Sequence, residues 1–383
     1  MRRDVSAGFC RTAPPELSLL LCCARSRFDS GSELRIRKIL RKGIDCDRLL
    51  EECSRHKVIP LLRYLFAEKY SQLVPEPCMR RLRREFSGNV EHSHRLLHEL
   101  ISTVELLESE DISVIPFKGP ALACVAYGDV AFRQFSDLDI LVSQEQATAA
   151  RKLLRKNGYK SIYAVSDANW GGYMRSHYNH KLTIGAGGSL VVLELHWKLS
   201  GDPWLFPVDI RGLFYRSEEV SLLGSTVRGF RAEDLMLILC VHGSKHLWER
   251  LQWVFDIAEL IQSRENWDWP DVRRNATLAG VDRMLLLGLY LADYFYCLRL
   301  PRWVFSAIES DGITRYLGSS IRDGLLYGDA HFAGDLGRIR YNLLIRTSWN
   351  ARWHYCRRFL LARTRGYVSC LYAAVRSLIS QDG

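Results

Sequence analysis

The sequence predicts an α+β fold, a small mixed β-sheet flanked by N-terminal and C-terminal helical regions. Three observations predict it. Apolar residues repeat at three- and four-residue spacing in the first ~110 residues and again from about residue 231, the period of a helix. Between these stretches come short β-rich runs bounded by turn residues. The chain has 383 residues and is 48% hydrophobic, enough for a sizeable core divided among more than one domain. The expected sections are a helical region over 1–110, a sheet core over 111–230 and a second helical region with a basic tail over 231–383.

In the first section, Leu49, Leu50, Cys53, Leu61 and Leu62 fall at helical spacing, with Pro60 interrupting the pattern. Two prolines between Leu73 and Pro77 mark a connection, and Leu97, Leu100, Ile101, Val104 and Leu107 then form an apolar helix face. In the middle section, Ile112–Pro116, Asp139–Val142 and Leu190–Leu195 read as strands. Gln144–Gly158 reads as a helix ending at its glycine, with Arg151, Lys152, Arg155 and Lys156 on its outer face. In the last section, Glu233–Leu247, Gln252–Ser263 and Val281–Cys297 read as helices.

Composition narrows the function classes. The longest apolar stretch, Met284–Tyr296, carries Asp293 and falls short of the roughly 20 residues a membrane span needs. The apolar run Leu17–Cys23 is followed by arginines and reads as a helix start rather than a signal peptide. Eleven scattered cysteines, with no C-x-x-C pair, fit buried thiols in a reducing cytoplasm. Of the net charge of +10, +7 falls after residue 330, where nine arginines face two aspartates. Aromatic and aliphatic residues interleave with those arginines, so this part reads as an amphipathic helical element with a cationic face. Such a face suits an acidic partner or surface, or is simply solvated. The chain shows no nucleic-acid-binding motif, so nucleic acid is not an expected partner.

The chemistry concentrates in two strands. Alternation puts Asp137 and Asp139 on one face of the first, and Glu194 and His196 on one face of the second. Like charges roughly 6–7 Å apart along a strand repel unless a cation lies between them. Hard oxygen ligands suit Mg²⁺, and three carboxylates on adjacent strands could hold two such ions about 3.5–4 Å apart. On the same reasoning, neutralising Asp139 relieves repulsion and stabilises the chain. Upstream, Lys118-Gly119-Pro120 joins a strand to the helix Ala121–Tyr127, a turn that lets backbone N–H groups approach a phosphate. Lys118 or Arg133 would neutralise phosphate oxygens, with Ser136 and His196 as further contacts.

These residues resemble the DNA polymerase β-like nucleotidyltransferase superfamily. More narrowly, the chain resembles a bacterial family known only as uncharacterised nucleotidyltransferases and often associated with exopolysaccharide gene clusters. The resemblance runs over roughly 15–300. It is carried by His56–Leu62, Lys118–Leu122, Tyr127-Gly128-Asp129, Arg133–Val142, Glu194–Trp197, and His242–Trp248 with Asp256. It implies a nucleotidyltransferase core in which Asp137, Asp139 and Glu194 are the catalytic and metal-binding residues. It further implies Mg²⁺-dependent transfer of a nucleoside monophosphate from an NTP such as ATP to a small-molecule, sugar-phosphate or protein/peptide acceptor. The superfamily's usual Gly-Ser turn is here Lys118-Gly119. That departure keeps open the alternative of a catalytically degenerate module that binds a nucleotide or partner without turnover.

The neighbouring residues keep two readings each. His242 and His246, one helical turn apart, either pack within the helices or face the acceptor or base side of the cleft, and zinc would lack a third ligand. Asn179-His180-Lys181 reads as a surface loop, with Lys181 a possible cation for the site. Trp248, Trp253, Trp267 and Trp269 read as packing residues, with base stacking the alternative.

Overall fold

A computed structural model describes residues 14–23, 30–202, 205–328 and 332–361. Arg363, Arg365 and Arg376 of the basic tail, and the start of the N-terminal segment, lie outside the described residues.

The first helices are α1 (Pro15–Cys23), α2 (Ser30–Lys42), α3 (Cys46–His56), α4 (Ile59–Lys69) and α5 (Glu76–Glu108). The Asp45 carboxylate caps α3 by accepting from the N–H groups of Asp47 and Arg48. Lys57, at φ 59°, ends it. Pro60 and Pro77 sit in the first turns of α4 and α5, where no backbone donor is lost, so each opens a helix.

Five strands form one sheet: β1 (Val114–Pro116), β2 (Asp137–Val142), β3 (Lys160–Ser161), β4 (Asn179–Ile184) and β5 (Val191–His196). Their order is β1-β2-β5-β4-β3, with β2 and β5 parallel and every other pair antiparallel. The predicted mixed sheet is therefore present. Between β1 and β2 the chain makes α6 (Gly119–Leu122), a π-helical turn (Ala123–Tyr127) and a 3₁₀ turn (Val130–Phe132). Helices α7 (Ala147–Lys156), α8 (Asp167–Ser176) and α9 (Ile210–Tyr215) follow β2, β3 and β5. A separate hairpin, β6 (Glu218–Leu222) and β7 (Ser225–Gly229), turns on Leu223 and Gly224, both at positive φ. The described C-terminal part is helical: α10 (Ala232–Lys245), α11 (Leu251–Gln262), α12 (Trp269–Leu278), α13 (Asp282–Tyr296), α14 (Arg302–Ser310), α15 (Gly312–Tyr327), α16 (Gly334–Ile345) and a last helix over 349–361. No helix among the described residues is long and apolar enough to cross a membrane.

Apolar burial falls into two clusters. One lies against the sheet and holds Leu138, Ile140, Leu193 and Leu195. The other joins residues of α1–α5 to residues of α10–α16, so the two flanking helical regions share one core. Helix α5, 33 residues long, belongs to both: Cys78, Met79 and Leu82 pack among helices, whereas Leu97, Leu100 and Leu107 pack on the sheet.

One surface expectation is overturned. Arg151 does not lie on an outer face of α7; it is buried at 1% exposure. Its guanidinium stacks over the Trp170 ring, 4.5 Å from the ring centre, and donates to Asp167 Oδ1 at 2.5 Å and to the carbonyl of Val165 at 2.6 Å. The period of α7 could not reveal this, because α8 and the loop before it fold back over that face and satisfy the charge.

Candidate active site

The parallel register of β2 and β5 builds the site. Asp139 pairs with Glu194 and Leu141 with His196, so carboxylates and imidazole share one face while Leu138, Ile140, Leu193 and Leu195 fill the core on the other. His196 Nε2 donates to Asp139 Oδ1 at 3.0 Å and lies 3.3 Å from Glu194 Oε2. Asp139, Glu194 and His196 each offer a ligand atom, all within 4.8 Å of one another, the one such His/Cys/Asp/Glu group among the described residues. The two carboxylates at that separation suit a hard divalent cation, with the His196 N–H as the donor that orients them. Asp137 sits two residues before Asp139 at the half-buried start of β2, paired with Val192, and stands outside this compact group.

The carboxylates are not left to repel. Lys118 Nζ lies 2.7 Å from Asp139 Oδ1, and Lys181 Nζ lies 2.5 Å from Glu194 Oε1. Asn179 Nδ2 donates to Glu194 Oε2 at 2.6 Å. Burial disfavours the Asp139 charge, yet Lys118 and His196 hold its carboxyl well below the usual range. Glu194, also opposed by burial, is lowered to about 2 by its hydrogen bond from His196 and its contact with Lys181. His196 is raised despite its burial, because both carboxylates accept from it. Asp137 goes the other way: burial and the neighbouring Asp139 charge raise it. The expectation that Asp139 gains stability on neutralisation is thus corrected, since its repulsion is more than offset; Asp137 carries the unrelieved charge.

Lys118 and Gly119 hold a strained turn. Lys118 has φ 29°, rare for a residue with a side chain, and Gly119 has φ 46°. A Cβ on Gly119 would stand 2.9 Å from the Asp137 carbonyl oxygen. The glycine is required by the close pass of this turn over β2, a tertiary reason the sequence does not display. Lys118 meets Asp139 directly, and Ser136 is exposed just before β2. Arg133 is buried at 6% exposure, its Nε and Nη2 donating to Asp256 Oδ1 and Oδ2 at 2.8 and 2.9 Å. Tyr127 donates to the same carboxylate at 2.9 Å. The Arg133 fork therefore ties the sheet to α11.

Asn179 and Lys181 are the site residues that the sequence reading misplaced. They lie in β4, whose Lys181 pairs with Glu194 and Asn179 with His196, and form no surface loop. The alternation of Asn179-His180-Lys181-Leu182-Thr183-Ile184, with Leu182 in the core, was the signal. His242 and His246 stand 4.7 Å apart, with the Trp253 ring 5.6 and 5.1 Å from them. Burial lowers both, and His246 reaches about 4, with the charges of Lys245 and Lys118 adding to the effect. Both rings are thus uncharged at neutral pH and lie within electrostatic reach of Lys118.

The site is thus a mixed sheet that presents a carboxylate pair on parallel neighbours, with a lysine from the turn that precedes β2. The chain belongs to the family described as "Uncharacterised nucleotidyltransferase", whose model matches residues 42–296. Among solved structures it is similar to an antigenic nucleotidyltransferase-like protein from Paracoccidioides brasiliensis, at 14% identity and a TM-score of 0.36, covering 56% of this chain and 98% of that one. No curated protein matches it. Family membership supports a general nucleotidyltransferase role.

Proposed function

We propose that the chain transfers a nucleoside monophosphate from an NTP to an acceptor in a divalent-metal-dependent reaction. The observation that carries the reading is the compact donor set of Asp139, Glu194 and His196, with lysines on both sides. Asp139 and Glu194 would hold Mg²⁺, with Asp137 at the rim reaching a second ion. Bound there, the cations would supply Lewis-acid polarisation of the α-phosphoryl group and offset charge on the departing pyrophosphate. His196 keeps both carboxylates oriented. With metal on the carboxylates, Lys118 and Lys181 would turn to phosphate oxygens and neutralise them, a positioning and electrostatic role. Ser136, exposed just before β2, would add a hydroxyl contact. The acceptor is a small molecule, a sugar phosphate, a peptide or a protein.

A second reading, nucleotide binding without turnover, draws on one feature: Lys118 and Lys181 already neutralise the two central carboxylates, so metal binding must displace them. Calorimetry with NTP and Mn²⁺, followed by transfer assays with α-labelled NTPs and mixed acceptors, separates the two. Catalysis requires that the parent binds and transfers label, and that Asp139→Asn loses transfer by at least about a hundredfold. Binding without transfer to any acceptor favours the second reading, and a folded parent that binds no NTP with metal overturns both.

A further inference from the structure

The helix over 349–361 carries a feature that nucleotidyl transfer does not use. At about 100° per residue, Ala351, Tyr355 and Arg358 share one face. That face is docked: Ala351 is buried, and Arg358 Nη1 donates to the Gly201 carbonyl at 2.9 Å and lies 3.3 Å from Asp202 Oδ1. The Arg346 guanidinium, itself paired with Asp202 at 3.1 Å, stacks over the Tyr355 ring at 4.4 Å. The opposite face holds Trp349, Trp353 and Leu360, spaced four and seven apart, and they are 80%, 67% and 63% exposed. Arg352 and Arg357 flank this stripe, and Arg352 also sits 5.3 Å over the Trp349 ring. No acidic residue occurs between Asp335 and Asp382.

We propose that this stripe is a docking surface for an anionic lipid bilayer, on which the helix lies in the plane of the headgroups. Two tryptophans and a leucine in water are a cost that a core-facing helix avoids, whereas indole rings are at home where acyl chains meet headgroups. The arrangement of charge chooses the occupant. The centre of the stripe is apolar and the arginines stand at its edges, which lets the rings enter the acyl boundary while guanidinium groups meet lipid phosphates. A nucleic acid would want the cations in the middle of the contact and would gain nothing from Leu360.

The test uses the full chain, floated with vesicles of phosphatidylcholine alone or with about one third phosphatidylglycerol, at low and high salt. Binding to the anionic vesicles should exceed binding to the neutral ones by at least about tenfold and weaken with salt. The variant Trp349→Ser/Trp353→Ser/Leu360→Ser should lose at least about tenfold of that binding while its melting temperature stays within a few degrees of the parent, because all three side chains are exposed. Arg352→Gln/Arg357→Gln should reduce the preference for anionic lipid. Failure of the parent to float with anionic vesicles overturns the proposal, as does undiminished binding by the triple variant. Release of the protein from vesicles by a stoichiometric random oligonucleotide would assign the surface to nucleic acid instead. None of these outcomes depends on NTP binding.

Discussion

At the scale of single residues, the two strand aspartates behave as opposites although they share a face. Lys118 and His196 hold Asp139 ionised, so Asp139→Asn leaves a half-buried ammonium facing an amide and should cost about 2 kcal/mol or more of stability. Asp137 is raised by burial and by the charge beside it, so Asp137→Asn should raise the melting temperature by a degree or more. Differential scanning calorimetry of both variants without metal checks the pair; the same direction for both would contradict the opposite electrostatics of the two positions. A pH dependence follows from the same groups. Glu194 is lowered from 4.5 to about 2, so its contribution is complete above about 4.5 and disappears as pH falls through about 2. His196 is raised above 6.5, so its contribution is complete below that value and is lost as pH rises through its folded-state value. The cluster therefore stabilises most in mildly acidic solution. Replacing His196 by Gln should remove the alkaline limb of the stability profile, measured as denaturation midpoint against pH.

At the scale of elements, the Lys118–Gly119 turn shows how a strand edge and a helix start are fitted together. Gly119 is constrained twice, by a positive φ and by the Asp137 carbonyl lying 2.9 Å from where a Cβ would stand. Gly119→Ala should therefore destabilise by about 1–3 kcal/mol, and Gly119→Val by more, both through strain and displacement of β2. Because Lys118 rides on the same turn, the variants should also lose NTP affinity. Equilibrium unfolding and NTP titration read the two effects separately, and an Ala variant as stable as the parent would sink the account. The strands β2 and β5 were legible from alternation, because Leu138, Ile140, Leu193 and Leu195 must enter the core. Strand β4 was less so: Asn179 and Lys181 look like loop residues until Glu194 is placed opposite them.

At the scale of the whole molecule, the site is held between helical regions that share one core. Gln134 links them at the sheet: its Oε1 accepts from Ile59 N–H at 3.3 Å, and its carbonyl accepts from Gln252 at 2.7 Å. The Arg133–Asp256 fork adds a buried ionic tie between the sheet segment and α11. Asp256→Ala strands the Arg133 charge and should cost about 3–5 kcal/mol in urea unfolding. Arg133→Met/Asp256→Leu should recover part of that loss, since it removes both charges from the interior but leaves the Tyr127 hydroxyl without its acceptor. If Arg133→Met/Asp256→Leu/Tyr127→Phe, which also removes that hydroxyl, is no better than Asp256→Ala, the stranded Arg133 charge is not the source of the loss.

The sequence by itself determined the class of fold, the two carboxylate strands and the likeness to nucleotidyltransferases. The first two rest on local periodicity, and the likeness on short motifs, each contiguous in the chain. Only the tertiary structure decided which cations meet those carboxylates. Lys118, Lys181 and Asn179 come from a turn and an antiparallel strand, and their partners are set by sheet register. It also decided that Arg151 is buried and that Arg133 faces Asp256, because a charged side chain can enter the interior wherever another element brings it a partner. Periodicity records which side of an element is apolar; it holds no information about what a distant segment will lay against the other side.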